Sequence, residues 1–258
     1  MDFKLGKTNM SSLSKLRIKI FADTADRTSL LDMYSNPLIK GFTTNPTLMR
    51  VAGITDYRAF AKDLLHRIPD RPISFEVFSD EFDEMEQQAL EISGWGDNVY
   101  VKIPITNTQG QSSTRLIARL VHAKVKMNIT AVMTLDQVSS VIPFLAESSS
   151  SYISIFAGRI ADTGRDPILV IREAVNLIQP YSNLELIWAS SREILNIFHA
   201  DSAGCHIITV TLDMLKKIHL IDKDLNEYSL ETVKMFYEDA QGSGNFLVVN
   251  PTMEARSR

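Results

Sequence analysis

The sequence predicts a single-domain α/β protein of the (β/α)8 barrel (TIM barrel) class, with one additional helix after the barrel. Short β-branched runs recur at intervals of roughly 20 to 35 residues along the 258-residue chain, and a segment with helical periodicity follows each run. The alternation repeats eight times. Such an alternation is typical of a parallel sheet covered by helices, and eight units are the number that closes a barrel.

The predicted strands follow one another without a glycine- or proline-rich linker. They are Arg17–Ala22, Ile39–Thr43, Ile73–Phe78, Val99–Ile103, Lys126–Ile129, Tyr152–Phe156, Leu184–Trp188 and His206–Val210. The main helices between them are predicted at Asp56–Arg67, Asp83–Ser93, Gln111–Ala123, Leu135–Leu145, Pro167–Ile178 and Arg192–Ala200. We divide the chain into an N-terminal extension (1–16), the barrel (17–220) and a C-terminal helix with a tail (221–258). An open doubly wound sheet is the alternative, but its usual glycine-rich nucleotide-binding fingerprints are missing.

The segment Ser229–Ala240 comes after the eighth unit. Its apolar residues Leu230, Val233, Phe236 and Tyr237 are spaced by three and four, which predicts an amphipathic helix. Because the barrel wall is already complete, we expect the apolar face to be buried against another subunit, so the chain should form a homo-oligomer. The alternative is that this helix folds back over its own barrel.

Composition excludes several classes of protein. The 27 Lys and Arg residues against 31 Asp and Glu residues leave a net charge of -4, so we expect no nucleic-acid partner and no attraction to an anionic membrane. No run approaches the ~18 apolar residues of a membrane span, and no signal peptide is recognisable. Cys205 is the single cysteine, which excludes an intramolecular disulfide and suits the cytoplasm. The five histidines lack ligand spacing, so we expect no metal site.

Polar residues cluster where the predicted strands end, which is where barrel enzymes carry their active sites. They are Asp23, Thr43, Asn45, Glu76, Lys102, Asn128, Thr130, Ser154, Arg159, Ser190 and Arg192.

Lys102 is the most informative of these residues. Period-two alternation places it with Tyr100 on the face of its strand that can point into the barrel. A desolvated amine is more readily neutral, and a neutral amine attacks a carbonyl to form a Schiff base. Asp23 and Glu76 could supply the proton transfers that imine chemistry needs. The alternatives are a lysine that reaches solvent and acids that cap helices or form surface ion pairs.

Arg159, Ser190 and Arg192 form a second group. Two guanidinium groups and a hydroxyl from neighbouring strand ends could hold the dianion of a sugar phosphate. The alternative is that each arginine pairs with a surface acid such as Asp162 or Glu193.

These residues lie in motifs that resemble the transaldolase family over nearly the whole barrel. The motifs are FADTAD (21–26), GFTTNPT (41–47), VKIPIT (101–106), NIT (128–130), IFAGRI (155–160) and ASSR (189–192). The short chain and the segment RIADTG (159–164) resemble the small subfamily that also contains fructose 6-phosphate aldolases. The resemblance implies an eight-stranded α/β barrel.

The resemblance also implies a role for each matched residue. Lys102 would form the Schiff base, Asp23 would assist proton transfer at the donor hydroxyl, and Glu76 would act with Thr130 through a water molecule. The phosphate would be held by Arg159, Ser190 and Arg192. The sugar site would be lined by Thr43, Asn45, Asn128, Ser154 and Phe156. No cofactor is implied, because the protonated imine is itself the electron sink.

The expected function is transfer of a dihydroxyacetone unit from a ketose phosphate, such as fructose 6-phosphate or sedoheptulose 7-phosphate, to an aldose phosphate. The pathway would be pentose phosphate metabolism or a more specialised carbohydrate pathway. Glu76 and Phe156 resemble the transaldolase pattern, whereas the aldolase branch carries glutamine and tyrosine there. The alternatives are a fructose 6-phosphate aldolase-like lyase and a catalytically silent sugar-phosphate binding or assembly protein. Related small members form pentamer-based rings, so a ring of five or ten subunits is expected, with a dimer as the second choice.

Overall fold

The computed structural model describes residues 12–244 and shows a closed barrel of eight parallel strands. The strands are β1 (Lys19–Asp23), β2 (Ile39–Thr43), β3 (Ile73–Glu76), β4 (Val99–Pro104), β5 (Met127–Val132), β6 (Ser151–Ile155), β7 (Leu184–Trp188) and β8 (Ile207–Thr211). Neighbouring strands pair in chain order, and β1 pairs with β8 to close the barrel. The predicted fold class is confirmed. Residues 1–11 of the predicted N-terminal extension and residues 245–258 of the predicted tail lie outside the described residues.

At least one helix follows each strand. The helices are α1 (Arg27–Tyr34), α2 (Pro46–Val51), α3 (Tyr57–Arg67), α4 (Phe82–Ser93), α5 (Thr114–His122), α6 (Leu135–Leu145), α7 (Ala157–Asp162), α8 (Pro167–Ile178), α9 (Leu195–Ser202), α10 (Leu212–Lys216) and α11 (Leu225–Ser243). Short 3-10 turns occur at Leu13–Lys15 and Ile218–Leu220. The sequence did not predict α1, α2, α7 and α10, because these helices are too short to show a clear hydrophobic periodicity.

Side-chain caps fix where several helices begin. Asp56 accepts a hydrogen bond from the backbone N–H of Ala59, so α3 starts one residue later than its predicted first residue. Thr134 and Gln137 form a reciprocal capping box at the start of α6.

Two strands, β3 and β5, end more than one residue away from their predicted last residue. β3 stops at Glu76 instead of Phe78, because the backbone N–H of Phe78 donates to the side chain of Gln88 and not to a neighbouring strand. β5 continues past the predicted Ile129 to Val132, through an irregularity in its pairing with β6.

Two helices begin three residues later than predicted. α5 starts at Thr114 instead of Gln111, and α9 starts at Leu195 instead of Arg192. The backbone N–H groups of Arg192 and Glu193 donate instead to the side-chain oxygen of Asn196. This loop arrangement keeps Arg192 outside the helix.

The lower interior of the barrel is filled by a layer that we call the barrel plug. It consists of Phe21, Tyr100, Tyr152, Ile187 and Ile207. The rings of Tyr100 and Tyr152 stack with centroids 4.1 Å apart, and Phe21 meets Tyr152 edge-on at 5.9 Å. Phe21 also needs Gly41 on β2, because a Cβ there would lie 2.6 Å from its ring.

The main hydrophobic core lies outside the strands, between the barrel wall and the helices. Val99, Val101 and Ile103 of β4 belong to this outer core, whereas Tyr100 belongs to the barrel plug. The predicted alternation along β4 is therefore confirmed.

The predicted C-terminal helix is present as α11, and it is longer than the segment that predicted it. None of its residues is buried. Leu230, Val233, Phe236 and Tyr237 are all more than half exposed, so the helix does not bury this stripe on its own barrel. Within residues 12–244, no helix combines the length and apolar character needed to cross a membrane.

Candidate active site

A cavity of about 430 Å³ opens where the carboxyl ends of the strands meet. All but one of the predicted site residues line it, namely Asp23, Thr43, Asn45, Glu76, Lys102, Asn128, Thr130, Ser154, Phe156, Arg159 and Ser190. The exception is Arg192. The fold therefore brings residues from seven strands or their following loops to one opening.

Lys102 lies inside the barrel, and only 8% of its side chain is exposed. Its Nζ is 3.0 Å from Oε2 of Glu76 and donates to the backbone oxygen of Thr44 at 2.8 Å. Glu76 and Lys102 are direct register partners on β3 and β4, which places both side chains on the inner face. A buried amine thus faces a carboxylate that can take up or return a proton.

Asp23 is the last residue of β1 and lies opposite Thr43 of β2. The Thr43 hydroxyl donates to Oδ1 of Asp23 at 2.7 Å. Burial raises the pKa of the Asp23 carboxyl above its ordinary value, and Glu76 adds to the rise, while Lys102 and Thr43 oppose it. Asp23 therefore holds a proton more readily than a surface aspartate, which suits a group that must both accept and donate one.

A buried polar network crosses the barrel above the plug. Asn128 donates to the hydroxyl of Ser74 at 3.1 Å and accepts a hydrogen bond from Ser154 at 2.7 Å. This network fixes the orientation of the Asn128 amide. The buried hydroxyl of Thr130 has no hydrogen-bond partner within the described part of the chain, and it lines the cavity. It is therefore available to a water molecule or a substrate hydroxyl.

Arg159 and Ser190 lie together because of a close approach between α7 and the loop after β7. A Cβ on Gly158 would lie 1.6 Å from the backbone oxygen of Ser190, so only glycine fits there. Ser190 itself has a left-handed backbone, with φ of 64°. The guanidinium of Arg159 lies over the Phe156 ring, 5.7 Å from its centroid.

Arg192 is directed to the neighbouring surface instead of the cavity. Its Nε and Nη2 donate to the two carboxylate oxygens of Asp162, at 3.1 and 2.5 Å. This is the surface-acid alternative that the sequence left open. Ion pairing with Arg192 lowers the pKa of Asp162. A third donor, Nη1, binds the backbone oxygen of Ser190, so Arg192 remains next to the residues that line the cavity.

Sequence reasoning missed several residues of the cavity. Thr209 lines it and follows Ile207 at a spacing of two on β8, a signal that period-two alternation could have provided. Ser74 does not line the cavity but binds the Asn128 amide, and because it precedes Glu76 by two residues it could have been found in the same way. Pro46, Thr47 and Leu48 at the start of α2, with Ala131 and Ala189, complete the lining.

Residues 12–244 hold no group of three His, Cys, Asp or Glu side chains placed to bind a metal ion. Cys205 is buried and unpaired, and burial raises the pKa of its thiol to about 12. The thiol is thus kept protonated and away from the cavity.

The fold and the site together define a (β/α)8 barrel with a buried lysine and carboxylates at its carboxyl-terminal opening. A sequence model of the family described as Transaldolase/Fructose-6-phosphate aldolase matches residues 20–247. The chain belongs to this family.

Curated relatives carry the name "Probable transaldolase". The protein of Dehalococcoides mccartyi is 31% identical over 202 residues, which cover 78% of this chain and 90% of the relative. The protein of Thermoplasma volcanium is 32% identical over 202 residues, covering 77% and 86%. That of a Thermoanaerobacter species is 29% identical over 218 residues, covering 84% and 95%.

Solved structures with a similar fold include dihydrodipicolinate synthase from Rhodopseudomonas palustris. Its TM-score is 0.56 at 15% identity, covering 87% of this chain and 79% of that one. The structure of 2,3-dimethylmalate lyase matches with a TM-score of 0.52 at 14% identity, covering 96% and 92%. At such low identity these similarities concern the fold alone.

Proposed function

We propose that the protein is a transaldolase that moves a dihydroxyacetone unit from a ketose phosphate to an aldose phosphate through a Schiff base on Lys102. One observation carries this proposal. The Lys102 amine is buried at the carboxyl end of the barrel, within 3.0 Å of Glu76, in a cavity that Asp23 also lines. Family membership and the relatives' names support the same reaction.

In the first step, neutral Nζ of Lys102 attacks the ketose carbonyl carbon, after Glu76 has accepted the amine proton. The carbinolamine hydroxyl then leaves as water, with its proton supplied from Glu76. A water molecule held by Glu76 and the free hydroxyl of Thr130 would relay these protons. The product is an iminium ion that can accept electrons from the bond to be cleaved.

In the second step, Asp23 takes the proton from the donor hydroxyl, and the neighbouring carbon–carbon bond breaks. The electron pair moves into the iminium group, the aldose phosphate leaves and an enamine remains on Lys102. Attack of the enamine on an acceptor aldehyde returns the proton from Asp23 to the new hydroxyl. The raised pKa of Asp23 makes it suitable for holding that proton between the two half-reactions.

Substrate recognition is proposed to involve the remaining residues of the cavity. Asn128 and Ser154 would bind sugar hydroxyls, with Thr43, Asn45 and Phe156 beside them. The phosphate would bind Arg159 and Ser190, with Arg192 completing the clamp from its position beside Ser190.

Borohydride reduction in the presence of a ketose phosphate tests the covalent step. We expect an adduct on the peptide that contains Lys102, detected by mass spectrometry, and no adduct in Lys102→Met. Lys126→Met is the matched control, because Lys126 interacts with the Tyr100 ring of the plug and does not line the cavity. An adduct on another lysine, or none in the wild type, would contradict the mechanism.

Transfer and simple cleavage differ in whether free dihydroxyacetone appears without an acceptor. The names of the relatives favour transfer over the lyase alternative. We expect Glu76→Gln combined with Phe156→Tyr to increase acceptor-independent release. If this double variant gains no release, these two positions do not separate the two activities. A silent binding protein would bind phosphate but form no adduct and no product.

We further propose that the protein is a cytoplasmic homo-oligomer in which α11 packs against a second copy. The exposed apolar stripe of α11 supports this assembly, with a ring of five or ten subunits preferred over a dimer. Light scattering on the full chain and on a chain truncated after Asp224 tests it. A full-length monomer would contradict the proposal.

A further inference from the structure

Glu76 occupies an unusual position at the edge of the sheet. It is the last residue of β3, and on one side it pairs with Lys102 of β4. On the other side, β2 has already ended at Thr43, and the last backbone bond from that direction runs from Thr44 to the oxygen of Ser74. The backbone groups of Glu76 therefore extend beyond the end of β2.

A side chain from α3 occupies the position beside Glu76 that β2 does not reach. The hydroxyl of Tyr57 accepts a hydrogen bond from the backbone N–H of Glu76 at 2.8 Å and donates to its backbone oxygen at 3.1 Å. One hydroxyl thus satisfies both groups that a neighbouring strand would otherwise bind.

The ring of Tyr57 is held in turn by three other aromatic side chains. Its centroid lies 6.0 Å from Phe75 and 5.5 Å from Trp95, both edge-on, and 4.6 Å from Phe78. The ring also belongs to the first residue of α3, whose backbone is fixed by the Asp56 cap. The hydroxyl consequently has little freedom to move.

We infer that Tyr57 is a positioning residue, which fixes the backbone of Glu76 so that its carboxylate faces Lys102. The inference rests on the proposed function, in which that carboxylate exchanges protons with the lysine. Tyr57 does not line the cavity, so it acts through Glu76 and not on the substrate.

Two further observations agree with this role. Burial raises the pKa of the Tyr57 hydroxyl above its ordinary value, which keeps the proton that it donates to Glu76. Thr44, where the chain leaves β2, accepts a hydrogen bond from Nζ of Lys102. The backbone that leaves β2 beside Glu76 therefore also holds the amine of Lys102.

The test compares Tyr57→Phe with Tyr34→Phe in the full chain. Tyr34 is the matched control, because its hydroxyl binds Asp70 near the surface and does not line the cavity. Both variants keep the ring and lose one hydroxyl. We expect Tyr57→Phe to lower kcat about three- to tenfold, the range for a lost hydrogen bond, with less than a twofold change in KM. Tyr34→Phe should change neither constant.

A double-variant cycle separates positioning from a general structural effect. In a Glu76→Gln background, Tyr57→Phe should lower kcat further by less than twofold, because the carboxylate that it positions is gone. Equal losses in both backgrounds would overturn the inference, as would a kcat for Tyr57→Phe equal to that of Tyr34→Phe.

Amide hydrogen exchange provides a readout that does not depend on activity. Loss of the Tyr57 hydroxyl removes the acceptor of the Glu76 N–H, so that amide should exchange at least about tenfold faster in Tyr57→Phe. Unchanged exchange would overturn the inference. If the wild type forms no adduct on Lys102, the proposed function fails, and the exchange at Glu76 still decides whether Tyr57 holds this residue.

Discussion

Two layers inside the barrel come from the same strands and differ in nearly every property. The barrel plug consists of aromatic and aliphatic side chains, whereas the layer directly above it is polar. Several strands contribute to both layers from positions two residues apart. These pairs are Phe21 and Asp23, Tyr100 and Lys102, Tyr152 and Ser154, and Ile207 and Thr209.

The two layers separate stability from chemistry. In the plug, burial of apolar area and the aromatic contacts stabilise the closed sheet, with aromatic pairs contributing about 0.5–1.5 kcal/mol each. In the polar layer, a buried lysine and acids cost stability unless each finds a partner. The barrel plug thus holds the strands in place. The fixed strands in turn keep the charged groups of the polar layer at hydrogen-bond distance from one another.

Chemistry in the polar layer depends most strongly on Lys102. Lys102→Met should lower the proposed transaldolase activity a thousandfold or more, because no other amine lines the cavity among the described residues. Thermal unfolding should show that the variant still folds, since methionine fills similar volume in a site closed by the plug. Activity above about one hundredth of the wild type would contradict the assignment of Lys102.

A second variant tests the contribution of the barrel plug to stability. Phe21→Ala should reduce the free energy of unfolding by about 3–5 kcal/mol, because it leaves a cavity between Tyr152 and Gly41. Urea denaturation measures this loss. Phe144→Ala on α6 is the control, and it should cost less because that side chain is partly exposed. Equal losses would show that the plug is not a special source of stability.

A third pair of variants compares the two arginines at the rim of the polar layer. Arg159→Ala should raise KM for phosphorylated donors about ten- to hundredfold, as expected for a lost charged hydrogen bond. Arg192→Ala should also raise KM, but less, because Arg192 is paired with Asp162. Steady-state kinetics with phosphorylated and unphosphorylated donors measure both effects. An unchanged KM would remove the arginine concerned from the proposed phosphate site.

The smallest effect concerns the stability of the polar layer itself. Burial raises the pKa of Asp23 in the folded protein above its unfolded value, so the ionised form destabilises the fold. Asp23→Asn should therefore raise Tm by a few degrees at pH 8. The gain should shrink as the pH falls through the folded pKa, since wild-type Asp23 then becomes neutral too. If the gain in Tm instead grew as the pH was lowered, the pKa of Asp23 would not be raised in the folded protein.

The strands and most of the candidate site could be predicted because both follow from local pattern. β-branched runs identify the strands, and period-two alternation directs Lys102 inward. The same rule applied to β8 would have included Thr209. Short helices such as α2 could not be predicted, because six residues show little periodicity.

Contacts between distant segments could not be read from the sequence. The sequence offered Asp162 as one possible partner of Arg192 but could not decide the pairing, which depends on the close approach that Gly158 allows between α7 and the loop after β7. The contact between Tyr57 and Glu76 joins an outer helix to a strand end, 19 residues apart. Such pairs depend on how helices pack against the barrel, which hydrophobic periodicity does not determine.

The barrel plug also has a consequence for the order of events in the proposed reaction. Because aromatic rings fill the barrel below Lys102, the substrates and products of the proposed reaction would share the cavity that opens above it. In that reaction the first aldose phosphate would have to leave before the acceptor could enter, while the three-carbon unit stayed attached to the protein. The barrel plug therefore favours a ping-pong mechanism, in which the donor and acceptor sugars occupy one binding site in turn.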